Sequence, residues 1–181
     1  MPPITYRPGF VADPSAVFER LWSDLDWQKR DSTPRREYYC NDIPVPYTYG
    51  TGAGVRTYEV QPWHEDILAI KKMVEAALGT TFEVCFLNGY ADARDHLGWH
   101  ADDSPEMDDN RPIAIVTLGA EREIWFCPRE DRNEVSRQLL ESGSLCVMAP
   151  GMQDTHLHRI PKAGRECGPR ISLTFRGYSS T

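Results

Sequence analysis

The run Arg170-Ile171-Ser172-Leu173-Thr174-Phe175-Arg176 alternates without a break: Ile171, Leu173 and Phe175 fall on one face of an extended chain, and Arg170, Ser172, Thr174 and Arg176 on the other. A strict period of two argues against a helix and asks for a sheet with one face on a core. Shorter β-rich pieces precede it at 36–40, 47–49, 81–87, 112–118, 123–127, 144–149 and 156–160. Turn signals separate them, among them Asn41-Asp42, Pro44, Pro46, the glycines of 50–54, Gly119 and Pro150-Gly151. Only two segments carry helical periodicity. In the first, Asp13-Pro14 supplies an N-cap and a proline at the first helical position, ahead of a stripe of Val17, Phe18, Leu21, Trp22 and Leu25. The second runs from Pro62 to about Leu78, with Glu65 and Asp66 in its first turn, Ile67, Ile70, Val74 and Ala77 on one stripe, and Gly79 just beyond. Residues 128–141 are charged and predict an exposed excursion. Many short strands without βα alternation predict a mainly β chain with flanking helices (α+β), its two sheets forming the core and the helices braced outside.

Composition excludes several classes. At 181 residues, 40% hydrophobic and 26% charged, the chain has the size and make-up of one domain that buries its own core. No apolar run approaches the length of a bilayer crossing, and Met1-Pro2-Pro3-Ile4-Thr5 lacks the basic start and apolar centre of a signal peptide. The expectation is no membrane contact and a cytoplasmic location, or a nuclear one in a eukaryotic cell. Five scattered cysteines, Cys40, Cys85, Cys127, Cys146 and Cys167, have no Cys-x-x-Cys spacing and predict reduced, packed thiols. A net charge of -7 argues against a broad non-specific grip on phosphates, so any nucleic-acid contact needs local cations. The early candidates are Lys29-Arg30 and Pro34-Arg35-Arg36. Nearby Tyr38, Tyr39, Tyr47 and Tyr49 lie in a turn-rich segment, where aromatic faces beside arginine either stack on bases or pack half-buried.

Two stretches carry chemistry. Trp99-His100-Ala101-Asp102-Asp103 sets an imidazole and a carboxylate two residues apart, on one face if the backbone is extended. Thr155-His156-Leu157-His158 offers a second imidazole from a distant segment. Two imidazoles and one carboxylate, with open positions left on the metal, are the ligand set of non-haem Fe(II) oxygenases. Arg170 and Arg176 share the polar face of the last strand over a span of roughly 20 Å. Their side chains leaning inward leave a gap suited to a short dicarboxylate, which arginine binds bidentately.

Taken together and in order, Pro34-Arg35, Tyr47-Thr48-Tyr49, Asn88-Gly89-Tyr90, Asp95-His96-Leu97-Gly98-Trp99-His100-Ala101-Asp102-Asp103, Gly143-Ser144-Leu145, His158-Arg159-Ile160-Pro161 and Pro169-Arg170-Ile171-Ser172-Leu173-Thr174-Phe175-Arg176 resemble one family. It is the AlkB-like Fe(II)- and 2-oxoglutarate-dependent dioxygenases of nucleic-acid alkylation repair. The likeness runs from Pro34 to Tyr178 and has the look of the animal-type members acting on 1-methyladenine and 3-methylcytosine.

The resemblance implies a double-stranded β-helix (jelly-roll) core over 81–181, with N-terminal helices and a nucleotide-recognition lid over 1–80. It implies His100, Asp102 and His158 as iron ligands. His158 is chosen over His156 because the family's distal histidine stands just before a short segment ending in proline, twelve residues ahead of the first arginine. His156 then becomes a supporting histidine. The resemblance further implies that Asn88, Tyr90, Arg170, Thr174 and Arg176 hold 2-oxoglutarate, that Asp103 faces the damaged base, and that Tyr47, Thr48 and Tyr49 belong to the lid.

The implied reaction is oxidative demethylation of N-alkylated bases in DNA or RNA with Fe(II), 2-oxoglutarate and O2, releasing formaldehyde, succinate and CO2. Its implied partner is alkylated single- or double-stranded nucleic acid, met by a monomer. The methylated edge is buried in a duplex, so the base must be extruded or already unpaired. Where close members of the family carry a glutamate directly after the second aspartate, this chain has Ser104, with the next acid at Glu106, a departure that bears on base preference. Two other readings keep part of the pattern. One is an Fe(II)/2-oxoglutarate hydroxylase of a protein or small molecule, which the acidic charge suits; the other is a non-catalytic metal-binding jelly roll.

Overall fold

The computed structural model describes residues 1–50 and 52–179; Thr51, inside the expected turn at 50–54, lies outside them, as do Ser180 and Thr181. Two antiparallel sheets face each other. The larger runs in the order β1 (Ile4–Arg7), β11 (Leu145–Met148), β8 (Ile113–Gly119), β13 (Arg170–Arg176), β6 (Val84–Tyr90), β3 (Arg36–Asn41) and β2 (Gln28–Lys29). The smaller runs β10 (Ser136–Leu140), β9 (Arg122–Pro128), β12 (His156–Ile160), β7 (Leu97–His100). A separate hairpin pairs β4 (Tyr47–Tyr49) with β5 (Arg56–Tyr58). This is a jelly roll, mainly β with flanking helices.

β13 occupies the middle of the large sheet, between β8 and β6, and every one of its residues is buried. Its apolar side, Ile171, Leu173 and Phe175, joins a cluster with Leu21 of α1 (Pro14–Asp24) and Ile67 and Val74 of α2 (Glu65–Leu78). The helices therefore cover the outer face, as their stripes predict. The polar side of β13 turns to the space between the sheets, so its arginines and hydroxyls are interior groups and not a solvated surface. Smaller clusters fill the rest of that space, one around Ile113, Ile115, Ile124 and Phe126, another around Tyr39, Tyr47, Tyr58 and Phe86.

Several local expectations change. Asp13 does precede α1, but in a left-handed conformation (φ 47°) with no capping bond from its side chain. α2 starts at Glu65 and not at Pro62, because His64 is the cap: its Nδ1 accepts from the backbone N–H of Asp66. Gly79 ends α2 at φ 65°, the left-handed cap that glycine adopts at little steric cost. The charged excursion at 128–141 contains β10, which pairs along β9 and alternates exposed and covered residues. β1 is an addition to the sequence reading, its four residues too short to signal, and it is held by β11. Tyr38, Tyr39 and Tyr47 are all buried, leaving Tyr49, 38% exposed, as the open one of the four. Tyr38 faces the helix layer, its ring 6.2 Å from Trp27, with no place in the base-stacking set. Cys40, Cys85, Cys127 and Cys146 are buried free thiols. No helix among the described residues is long and apolar enough to cross a membrane.

Candidate metal centre and anion cradle

β12 pairs with β7 so that His158 stands directly opposite His100. This register brings together side chains separated by 58 residues of chain, and Asp102 follows just past the end of β7. The ligand atoms of His100, Asp102 and His158 all lie within 4.8 Å of one another. The Nε2 atoms of the two histidines stand 3.7 and 3.5 Å from the Asp102 oxygens, long for hydrogen bonds, and the two rings are 4.2 Å apart. Nδ1 of His100 lies 2.8 Å from the Gly98 carbonyl, which can only accept, so the ring carries its proton there and turns the Nε2 lone pair toward Asp102.

Burial, then the neighbouring His158, pushes the His100 imidazole down to about 3, keeping it neutral, the form that ligates a metal. Burial alone would raise the Asp102 carboxyl, but the Arg176 guanidinium reverses this and holds it well below the usual carboxylate range. Two imidazoles converging on an ionised carboxylate are the donor set a divalent cation fits. His156 stands outside the group, with Nδ1 2.8 Å from the Thr155 hydroxyl.

Beneath the cluster a cavity of about 310 Å³ opens between the sheets. Arg170 lies in it at 0% exposure and donates from Nη2 to Thr117 Oγ1 at 2.9 Å, while its Nε and Nη1 have no partner among the described residues. The Tyr90 hydroxyl is unpartnered too, with the Arg170 guanidinium 5.2 Å from its ring centre. Arg176 pairs with Asp102 through Nη2 at 2.9 Å and leaves its own Nε unpartnered. Desolvation pulls the Arg170 guanidinium down to about 10, so it remains a buried cation at neutral pH. Such unmatched donors cost free energy unless an anion meets them. The cradle thus fits an oxoacid carrying two carboxylates, and Asn88, Ser172 and Thr174 line the same wall.

At the mouth, the β4–β5 hairpin closes over the cavity. Tyr47 is buried and its hydroxyl meets Ser104 Oγ at 2.5 Å; Tyr49 stands beside it, 6.4 Å between ring centres. Thr48, on the opposite face of β4, lies off the cavity wall and meets Thr57 Oγ1 at 3.5 Å. Asp103 also lies off that wall: its carboxylate, 48% exposed, pairs with Arg129 at 2.7 Å.

Sequence reasoning missed two groups, Gln153 and Glu37, and named Arg35 as a candidate cation without its partner. Gln153, in the short helix α3 (Met152–Thr155), is buried and accepts the Asp102 backbone N–H at 2.9 Å, propping the metal loop. Arg35 donates from Nε to Asn88 Oδ1 at 2.7 Å, and Glu37 sits beside it on β3. For Gln153 no sequence signal exists; for Glu37 there was one, an acid sharing a face with aromatic Tyr39 on an otherwise buried strand.

Residues 23–176 match the family model of the 2OG-Fe(II) oxygenase superfamily. Alpha-ketoglutarate-dependent dioxygenase alkB homolog 3 of Bos taurus is 32% identical over 188 residues, covering 93% of this chain and 64% of that protein. DNA oxidative demethylase ALKBH2 is 34% identical over 155 residues in Mus musculus, covering 82% and 63%, and 32% identical over 183 residues in Homo sapiens, covering 91% and 69%. The chain thus spans just under two thirds of the length of the first two. A solved structure of OsALKBH1 superposes with a TM-score of 0.70 at 16% identity, over 97% of this chain and 98% of that one, a likeness of fold.

Proposed function

Because the chain belongs to the 2OG-Fe(II) oxygenase superfamily, we propose that it is an oxidative demethylase of N-alkylated bases such as 1-methyladenine and 3-methylcytosine in DNA or RNA. The observation that carries the reading is one cavity holding three features: the converging His100, Asp102 and His158 donors, the unmatched donors of Arg170, and a wall of tyrosines at the mouth.

His100, Asp102 and His158 would hold Fe(II), and Arg170, Tyr90, Asn88, Thr174 and Arg176 would hold 2-oxoglutarate. Bound there with O2, these would supply the oxidation of an N-methyl group, whose carbon is released as formaldehyde alongside succinate and CO2. The protein's own part is positioning. Arg176 keeps Asp102 ionised, the Gly98 carbonyl keeps the His100 proton on Nδ1, and buried Arg170 presents unmatched donors to the cradle. Tyr47 and Tyr49 receive the extruded base, Tyr47 locked by Ser104 and Tyr49 open to a partner. The partner is alkylated nucleic acid, and the protein acts as a monomer.

Incubation with Fe(II), 2-oxoglutarate, ascorbate and single- or double-stranded oligonucleotides carrying 1-methyladenine tests this, read by mass. Loss of 14 mass units, one CH2, coupled to succinate is the expected result. Succinate without methyl loss would discard the base and retain the cofactor assignment.

A further inference from the structure

Glu37 is an acid that the proposed chemistry leaves unused. It lies on β3 opposite Asn88, is 1% exposed, and lines the cavity at the side of the hairpin. Its Oε2 accepts the Tyr58 hydroxyl at 2.8 Å and stands 3.5 Å from Arg35 Nη2. Its Oε1 is buried with no partner among the described residues. A buried carboxylate with one oxygen unmatched is an unfavourable arrangement that a donor or a positive charge relieves.

Among the described residues the cavity wall holds one other acid, Asp102, already paired with Arg176 and turned to the histidines. Asp103 is turned outward to Arg129, and Ser104 is spent on Tyr47. Glu37 also lies two strands from β13, across β6, and so is not on the strand that carries Arg170 and Arg176. Arg35 approaches the oxygen that Tyr58 already uses, and spends its Nε on Asn88 and its Nη1 on the His96 carbonyl at 3.4 Å. Tyr58, pushed up to about 12 by burial and then by Glu37, keeps its proton and remains a donor.

Resting on the base-demethylase reading above, the geometry points to Glu37 as a specificity-determining residue that selects cationic methylated bases. Methylation at N3 of cytosine or N1 of adenine leaves a ring with a positive charge and an amino group beside the methyl. Methylation at N3 of uracil leaves a neutral ring with a carbonyl at the same place. The first offers Oε1 both a donor and a counter-charge; the second sets a lone pair against it. Discrimination of this kind arises from the group left unpaired with the wrong ligand.

The test compares two oligonucleotides that differ in one ring, 3-methylcytosine against 3-methyluracil, bound to metal-free protein and followed by fluorescence anisotropy. Wild type is expected to prefer 3-methylcytosine by tenfold or more, about 1.4 kcal/mol, and Glu37→Gln to cut that preference below about threefold. Equal affinities in wild type overturn the assignment without any variant. So does a Glu37→Gln protein that weakens both oligonucleotides alike, the behaviour of a residue that merely braces Arg35 and Tyr58. Iron-loaded turnover separates the layers: demethylation of 3-methylcytosine with discrimination intact in Glu37→Gln removes Glu37 and keeps the activity. Failure to bind or demethylate either oligonucleotide removes the base-repair reading and the Glu37 assignment with it.

Discussion

The floor and the mouth of the cavity are built by different means. At the floor, His100, His158, Arg170 and Thr174 stand on strands paired on both sides or opposite one another, so their positions follow from ladders of backbone hydrogen bonds. At the mouth, Tyr47, Tyr49 and Tyr58 stand on a two-stranded hairpin that would be marginal alone. Side chains tie it down: Tyr47 to Ser104 at 2.5 Å, Tyr58 to Glu37 at 2.8 Å, and Arg30 Nη2 to the Thr57 carbonyl at 2.6 Å. The floor is therefore placed by backbone ladders and the mouth by side-chain bonds. Substitutions at the two ends should have separable effects.

The largest effect belongs to the floor. His100→Ala should reduce succinate formation by more than the roughly 100-fold that loss of a supporting partner costs, with the far-ultraviolet spectrum unchanged. Wild-type turnover in this variant would take the imidazole out of the metal set. Arg170→Met should raise the KM for 2-oxoglutarate by about 10- to 150-fold, the worth of charge-assisted bonds to a carboxylate. In the unliganded protein the same change should leave Tm unchanged or higher, because it removes a buried cation with two unmatched donors. A lowered Tm with an unaltered KM would assign Arg170 to the core instead.

At the mouth the changes shrink. Ser104→Ala, which frees the Tyr47 hydroxyl, should raise the KM for a methylated oligonucleotide about fivefold, as one neutral hydrogen bond is worth. Succinate formed without oligonucleotide should stay the same, and an equal loss in both assays would erase the distinction between floor and mouth. Thr48→Ala, off the cavity wall, should change either assay by less than about twofold. A larger effect would show that the hairpin turns over when nucleic acid binds.

Much of the fold is legible in local pattern. The alternation along 170–176 marks a strand with one face on a core, and the stripes of α1 and α2 mark the layer that covers that face; burial of the polar face comes from the opposing sheet. β1 and β10 are less legible, because short edge strands owe their existence to the partner they pair with, β11 and β9, and not to their own composition. The start of α2 misleads for a similar reason: proline at 62 is compatible with a helix, yet the cap that satisfies the first N–H groups is His64.

In the site the division is sharper. Residue type and spacing single out His100 and Asp102 as a donor pair and Arg170 and Arg176 as counter-charges, because chemistry of that kind is carried by residue type and by the two-residue repeat of an extended chain. Which of His156 and His158 meets His100 depends on a register between strands far apart in sequence, and a shift of two residues would exchange them on the same face. That Asp103 turns to Arg129, that Gln153 props Asp102, and that Glu37 keeps an unmatched oxygen inside the cavity depend on packing between distant segments. The sequence by itself determined the donor types and the strand that carries the arginines, since these are local properties. Only the tertiary structure decided which carboxylate faces the cavity, since burial and strand register belong to the whole chain.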